Sequence, residues 1–207
     1  MIDYIPIHLA VEDTLSESIV RVMLKQSGKP YSIGICFGKF GSGYLKNTIN
    51  GFNNAAKGTP FLVLTDLDKI DCAPLLVKNW LQRTKHHNLI FRVAVREIES
   101  WLLAHRSAFA QFIGISEKMI PVNPDEIEDP KRFLVELARK SRKKGLRSAI
   151  MPQSDSTAKI GPDYNNKLRE FIYRDWNVHC ALRASQSLKR AFCEISHFIP
   201  VYVGKRQ

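Results

Sequence analysis

The chain has 207 residues, 44% hydrophobic and 25% charged, an ordinary globular composition that fits one large domain or a domain with an appendage. Its net charge of +11 favours a polyanionic partner, nucleic acid before an anionic membrane, with a basic protein that lacks such a partner as the alternative. No apolar run approaches the roughly 18 residues of a membrane span, and Cys36, Cys72, Cys180 and Cys193 form neither a C-x-x-C pair nor a Cys/His ligand spacing, which argues against structural zinc and suits a reducing compartment.

Met1-Ile2-Asp3-Tyr4 has no basic or apolar signal region, so the expected location is the cytoplasm. Ile5 to Val11 reads as a buried strand ending in Glu12-Asp13. Leu15 to Lys25 has helical periodicity, with Ile19, Val22 and Met23 on one face and Ser16 or Thr14 as its cap. Ser32 to Phe37 is a second strand. It opens into a glycine-rich turn, Gly38-Lys39-Phe40-Gly41-Ser42-Gly43-Tyr44-Leu45-Lys46. Backbone amides of such a turn hold phosphate in other folds, although the spacing is not that of a P-loop; a flexible connector is the alternative. A helix over Thr48–Ala56 follows, and Pro60 leads into a third strand from Phe61 to Leu64.

The third strand ends in Thr65-Asp66-Leu67-Asp68. Residues two apart share a side of an extended chain, which lets Asp66 and Asp68 converge beyond the strand, where open α/β sheets place their sites. Two close carboxylates repel unless a cation or proton relieves them, and such oxygen donors suit Mg²⁺. The alternative is that Asp66 caps a helix and Asp68 lies in its first turn. Leu75 to Gln82 reads as helix and Asn88 to Val95 as a fourth strand. The alternation predicts an α/β fold with a mostly parallel sheet flanked by helices over residues 1–112. In Arg96-Glu97-Ile98-Glu99-Ser100-Trp101-Leu102-Leu103-Ala104, the residues Ile98, Trp101 and Leu102 form a core face. Glu99 lies off it, at the helix start, where an acid also favours the helix dipole.

Residues 113–207 read as a basic, mainly helical C-terminal region packed on that core. Pro121 and Pro124 with Asp125, Glu126, Glu128 and Asp129 form an acidic loop. Between Lys131 and Arg147 there are eight Lys or Arg and one acid, Glu136. Phe133, Leu134, Leu137 and Ala138 keep an apolar face, leaving Arg139, Lys140, Arg142, Lys143, Lys144 and Arg147 as the candidate phosphate-backbone surface; a solvated charged face is the alternative. Pro152 to Pro162 is a connector, and Tyr164–Tyr173 and Ser187–His197 are amphipathic helices. His86-His87 has no ligand partner at helical spacing and reads as a solvated loop.

Three acidic stations thus follow successive strands: Glu12, then Asp66 with Asp68, then Glu99. This order resembles the Toprim domain of topoisomerases, primases and related nucleases. Glu99-Ser100-Trp101-Leu102-Leu103-Ala104 looks like the E-x-W-L-L signature of small stand-alone Toprim-like proteins. Ala10-Val11-Glu12-Asp13, Gly41-Ser42-Gly43-Tyr44-Leu45-Lys46, Leu64-Thr65-Asp66-Leu67-Asp68, Lys159-Ile160-Gly161-Pro162-Asp163-Tyr164-Asn165 and Ser185-Gln186-Ser187-Leu188-Lys189-Arg190 look like parts of the same pattern. Asp13 stands where Toprim domains carry glycine. Four residues after Glu12 is Ser16, where nuclease members carry a second glutamate; Glu17 comes one later.

The resemblance implies Mg²⁺- or Mn²⁺-dependent phosphoryl transfer on DNA or RNA. Asp66 and Asp68 would hold the metal. Glu12 would be general acid/base or ligand, and Glu99 a further ligand or an orienting carboxylate. Lys46 or Lys39 would neutralise transition-state charge. It also implies an AAA- or ABC-type ATPase partner in bacterial phage defence; the lack of a long apolar run leads us to expect no membrane, and self-association is left open. Two alternatives stand beside the nuclease: a catalytically degenerate nucleic-acid-binding or regulatory subunit, and a phosphoesterase of small nucleotides.

Overall fold

A computed structural model describes residues 4–153 and 156–202. Within them the chain forms two units, residues 4–95 with 190–202, and residues 96–189. The composition boundary near Phe112 falls inside the second unit.

The first unit alternates β1 (Ile5–Val11), α1 (Thr14–Gln26), β2 (Tyr31–Gly38), α2 (Gly41–Ala55), β3 (Phe61–Asp66), α3 (Ala73–Trp80) and β4 (Leu89–Ala94). All four strands run parallel, in the order β2-β1-β3-β4. The near-continuous apolar runs of β1, β3 and β4 are those of strands covered on both faces. Leu45, Ile49 and Phe52 of α2, with Leu76 and Trp80 of α3, pack on Ala10, Phe61, Val63, Leu89, Phe91 and Val93. Helix α1 lies outside that cluster and buries Leu15, Ile19, Val22 and Met23. The sheet is thus the parallel, helix-flanked α/β sheet that the alternation predicts.

Two local readings change. The cap of α1 is neither Ser16 nor Thr14 but Asp13, whose side chain accepts from Ser16 N at 2.8 Å. A cap of this kind contributes about 1 kcal/mol. Helix α2 starts at Gly41 rather than Thr48, because the buried i, i+4, i+7 series Leu45, Ile49, Phe52 carries the helix back through the glycines. Only residues 39 and 40 remain between β2 and α2.

The β1–β2 ladder shifts register between Ile7 and Leu9, which face Ile33 and Cys36. The amide left over on β2, Ile35 N, donates to His8 Nδ1 at 2.9 Å.

Residues 190–202 close the first unit through the second half of α10 (Gln186–His197). Tyr31 OH donates to Ile195 O at 2.6 Å, and Glu194 pairs with Lys85 at 3.0 Å and with Arg92. Asn88 exchanges two hydrogen bonds with the Val201 backbone, at 2.7 and 2.8 Å.

The second unit is helical: α4 (Glu99–Ala104), α5 (Arg106–Ile113), α6 (Pro130–Arg139), α7 (Lys144–Ile150), α8 (Tyr164–Arg174), α9 (Val178–Ala181) and the start of α10. Its core is aromatic. The Phe171 ring lies 5.2 Å from that of Phe109 and 5.0 Å from that of Phe112. Trp176 Nε1 donates to Trp101 O at 3.0 Å, and Trp101 Nε1 to Ser187 Oγ at 2.7 Å. Asp125, from the acidic loop, accepts from Ser185 Oγ and Ser187 N and so holds the first turn of α10. Among the described residues no helix is long and apolar enough to cross a membrane.

Candidate active site

Strands β1 and β3 are central neighbours, with Val11 opposite Leu64. The next residues, Glu12 and Thr65, therefore meet at the carboxyl end of the sheet. Glu12 Oε1 accepts from the buried Thr65 hydroxyl and from Asp66 N at 2.8 Å. One carboxylate oxygen is thus fixed by two donors from the neighbouring strand. Burial raises the Glu12 pKa above its ordinary value; the Thr65 and Asp66 hydrogen bonds oppose the rise, and the charges of Asp68 and Asp13 add to it.

Asp66 is the last residue of β3, and Leu67 N still donates to Ala94 O at 2.9 Å. Leu67 is buried, while Asp68 is exposed and left-handed at φ +50°. The strand alternation that aligns residues two apart therefore stops short of Asp68. Asp tolerates this backbone region better than most residues.

The turn after β2 lies against the same strand end. Lys39 N donates to Val11 O at 2.9 Å and Gly41 N to Glu12 O at 3.1 Å. Gly38 has φ +99°, and a Cβ there would stand 2.1 Å from Val11 O, so both backbone and space require glycine. Lys39 itself takes φ +73°. Its ammonium lies 2.7 Å from Glu17 Oε2, and Arg21 holds Glu17 Oε1 at 2.7 Å. Burial alone would raise the Glu17 pKa, but the hydrogen bonds and charges of Lys39 and Arg21 outweigh it and hold the carboxyl below its ordinary value.

Asp13 and Glu17 each have a local structural role. Asp13 is extended (φ −150°) and caps α1, so no glycine conformation is needed there. Glu17 is committed to two cations. Lys46 is exposed on α2 and has no ion-pair partner among the described residues.

Glu99 belongs to the second unit and is buried, 1% exposed, rather than lying on an outer face. Helix α4 buries all six of its residues, so periodicity has no outer face to assign it to. Tyr164 OH donates to Glu99 Oε1 at 3.0 Å, and Lys131 Nζ lies 3.6 Å from the same oxygen. Glu99 Oε2 has no hydrogen-bond partner among the described residues. Burial pushes the carboxyl up to about 7, against the nearby Lys131 charge. Lys131 also stands 3.7 Å from Glu97 Oε1 and donates its backbone N–H to Glu97 Oε2 at 2.8 Å. Along the same face of α6 runs a cavity of about 490 Å³ lined by Glu97, Lys131, Arg132, Arg139 and Lys159.

The six candidate phosphate-binding residues are all exposed. Lys143 differs from the others: its ammonium donates to Gln111 O and Phe112 O, both at 2.9 Å, at the end of α5. Arg139 pairs with Glu136 at 3.5 Å.

Among the described residues no three His, Cys, Asp or Glu side chains form a ready-made metal cluster. The donors at the sheet end still fit one hard cation that keeps several waters and takes one or two protein carboxylates. Burial first, and the charges of Asp68 and Asp13 after it, raise the proton affinity of Glu12, and a bound cation would offset that repulsion. Thr65 is the residue that motif reading misses; pairing of the two apolar strands in register is the signal that points to it. Neither the family models, the curated proteins nor the solved structures give a match to this chain.

Proposed function

We propose that the chain is a metal-dependent nuclease of the Toprim type that hydrolyses phosphodiesters in DNA or RNA, working with an AAA- or ABC-type ATPase in bacterial phage defence. The observation that carries the chemistry is Glu12, fixed by Thr65 and Asp66 at the carboxyl ends of the two central strands, within the field of Asp68. The partner and the setting come from the sequence resemblance.

Asp66 and Asp68 would hold the divalent ion, Mg²⁺ or Mn²⁺. When bound, such an ion neutralises the phosphate, lowers the pKa of its water and stabilises the leaving oxygen. Glu12 moves the proton. Its pKa is raised by burial, which favours holding a proton, and its Oε1 is fixed by Thr65 and Asp66. Lys46 supplies positive charge from α2, whose first turn carries no acid, so its amides favour an approaching phosphate.

The test is cleavage of plasmid, single-stranded DNA and total RNA with Mg²⁺ or Mn²⁺ against EDTA. Asp66→Ala, Asp68→Ala and Glu12→Gln are expected to lose about 10²- to 10⁴-fold in rate while keeping the wild-type circular dichroism spectrum. Wild type that never cuts, alone or with its ATPase, or cutting that survives all three substitutions, refutes the proposal. Binding without cutting would instead support the non-catalytic subunit, a reading that the commitment of Glu17 to Lys39 and Arg21 also favours.

A further inference from the structure

Phe40 is 77% exposed, although water rejects a phenyl ring. The exposure does not come from a slack loop. Both neighbours of Phe40 donate their amides to the end of β1, and Lys39 is tied a second time through Glu17. Gly38 and Gly41 take positive φ, which glycine does freely, but Lys39 between them takes φ +73°, so the chain accepts a costly backbone at Lys39, next to the ring held in solvent. Strain of this kind persists where surrounding contacts over-determine it, and it gathers at functional sites. One helical turn on, the Tyr44 ring meets Phe40 edge-on, with centroids 5.5 Å apart at 62°. Tyr44 is half-buried and packs on the α2–sheet core, so the outer ring is braced by an inner one.

We propose that Phe40, braced by Tyr44, is a stacking platform for an unpaired nucleobase beside Glu12. The substrate class is then single-stranded nucleic acid. The inference rests on reading the Glu12 end as a phosphodiester site, and it narrows what that site takes. The surroundings favour a nucleotide over a protein anchor. A protein hot spot is ringed by contacts that exclude water. The first turns of α2 instead present Ser42, Gly43, Lys46 and Asn47, a polar and basic set without an acid. A base stacked on Phe40 carries its own phosphate, and the Gly41 amide bonded to the main-chain oxygen of Glu12 ties the backbone that carries Phe40 to the end of β1. Aromatic faces accept every base, so the platform implies little sequence preference.

The experiment measures binding in EDTA, so cleavage does not enter. The probes are fluorescein-labelled dT15, rU15, an abasic 15-mer with the same phosphates and a duplex of equal length. Phe40→Ala should bind dT15 or rU15 roughly 5- to 150-fold more weakly than wild type, with no change on the abasic strand or the duplex. A loss confined to dT15 or to rU15 supports the platform and names the sugar. Phe40→Trp should bind like wild type, and its fluorescence should fall on adding the same strand. Phe40→Ala binding every probe as wild type does overturns the proposal, as does wild type binding the abasic strand as tightly as dT15. Phe40→Ala that keeps nucleic-acid binding but loses capture of the ATPase also overturns it, in favour of a protein anchor. The two readings fail separately. Wild type that stacks bases but never cleaves refutes the nuclease alone, whereas wild type that cleaves while Phe40→Ala matches it in binding and rate refutes the platform alone.

Discussion

Glu99→Gln isolates the cost of burying a carboxyl. The Glu99 pKa stands at about 7 in the folded chain, against 4.5 as its ordinary value. Between those values the folded state holds a proton that the unfolded state has released. Stability therefore falls as pH rises through this window. Below it both states are protonated and the side chain costs nothing extra; above it the full penalty applies. Two and a half units correspond to about 3 kcal/mol. Gln keeps an acceptor for Tyr164 and has no charge to bury. The lost contact with Lys131, 3.6 Å away and 36% exposed on the lysine side, is screened and contributes little. The assay is thermal and urea unfolding in EDTA from pH 5 to pH 8, read by tryptophan fluorescence, since Trp101 and Trp176 are buried in the same unit. The variant should gain on wild type by about 3 kcal/mol across that range, or roughly 6–12 °C in Tm for a chain of this size. Parallel stability profiles for the two proteins would refute the reasoning, because a pH-independent offset means that Glu99 does not titrate in the folded chain.

The turn before α2 allows a ranking. Gly38→Ala should cost more than about 2 kcal/mol, since positive φ and a Cβ 2.1 Å from Val11 O act together. Gly41→Ala, with positive φ but open space, should cost about 1 kcal/mol; equal Tm losses would show that the close approach to β1 is not real. On the basic surface, Lys143→Met should lower stability by about 1 kcal/mol through the lost C-terminal cap of α5 and leave the salt dependence of nucleic-acid binding unchanged. Arg142→Ala or Lys144→Ala should leave Tm unmoved and reduce the salt slope by about 1. Slopes that fall equally for all three would return Lys143 to the binding surface.

The strands were legible because each is a short apolar run closed by a charged or glycine-rich stretch, and their order followed from parallel crossovers. What escaped were contacts made at long range. Tyr164 lies 65 residues from Glu99, and nothing local marks it as a partner. The phase of Ile98, Trp101 and Leu102 correctly gave a core face. It placed Glu99 outside only because it assumed that the helix had an outside. Glu12, Asp66 and Asp68 were visible as carboxylates at strand ends, but the Thr65 hydroxyl that fixes Glu12 reads locally as one more β-branched strand residue. Phe40 was hidden by its neighbours, since an aromatic between glycines is as compatible with a buried turn as with a displayed ring.

The electrostatics of the sheet end bear on the choice between nuclease and inert scaffold. The chain as a whole is strongly basic, yet Glu12, Asp13, Asp66 and Asp68 gather where β1 and β3 end. The nearest lysine of the turn, Lys39, is spent on Glu17. A proton on Glu12 relieves one carboxylate, in keeping with its raised pKa; a divalent cation relieves two and attracts the phosphate as well. A scaffold that merely bound nucleic acid would gain by losing these acids. Asp13 caps α1, whereas the proposed metal-assisted phosphoryl transfer would use Glu12, Asp66 and Asp68. Glu17 fits the same logic. Glu17 holds the Lys39 ammonium, and the Lys39 amide ties the turn that displays Phe40 to β1. Glu17 is thus a brace for the turn, committed to Lys39 and Arg21.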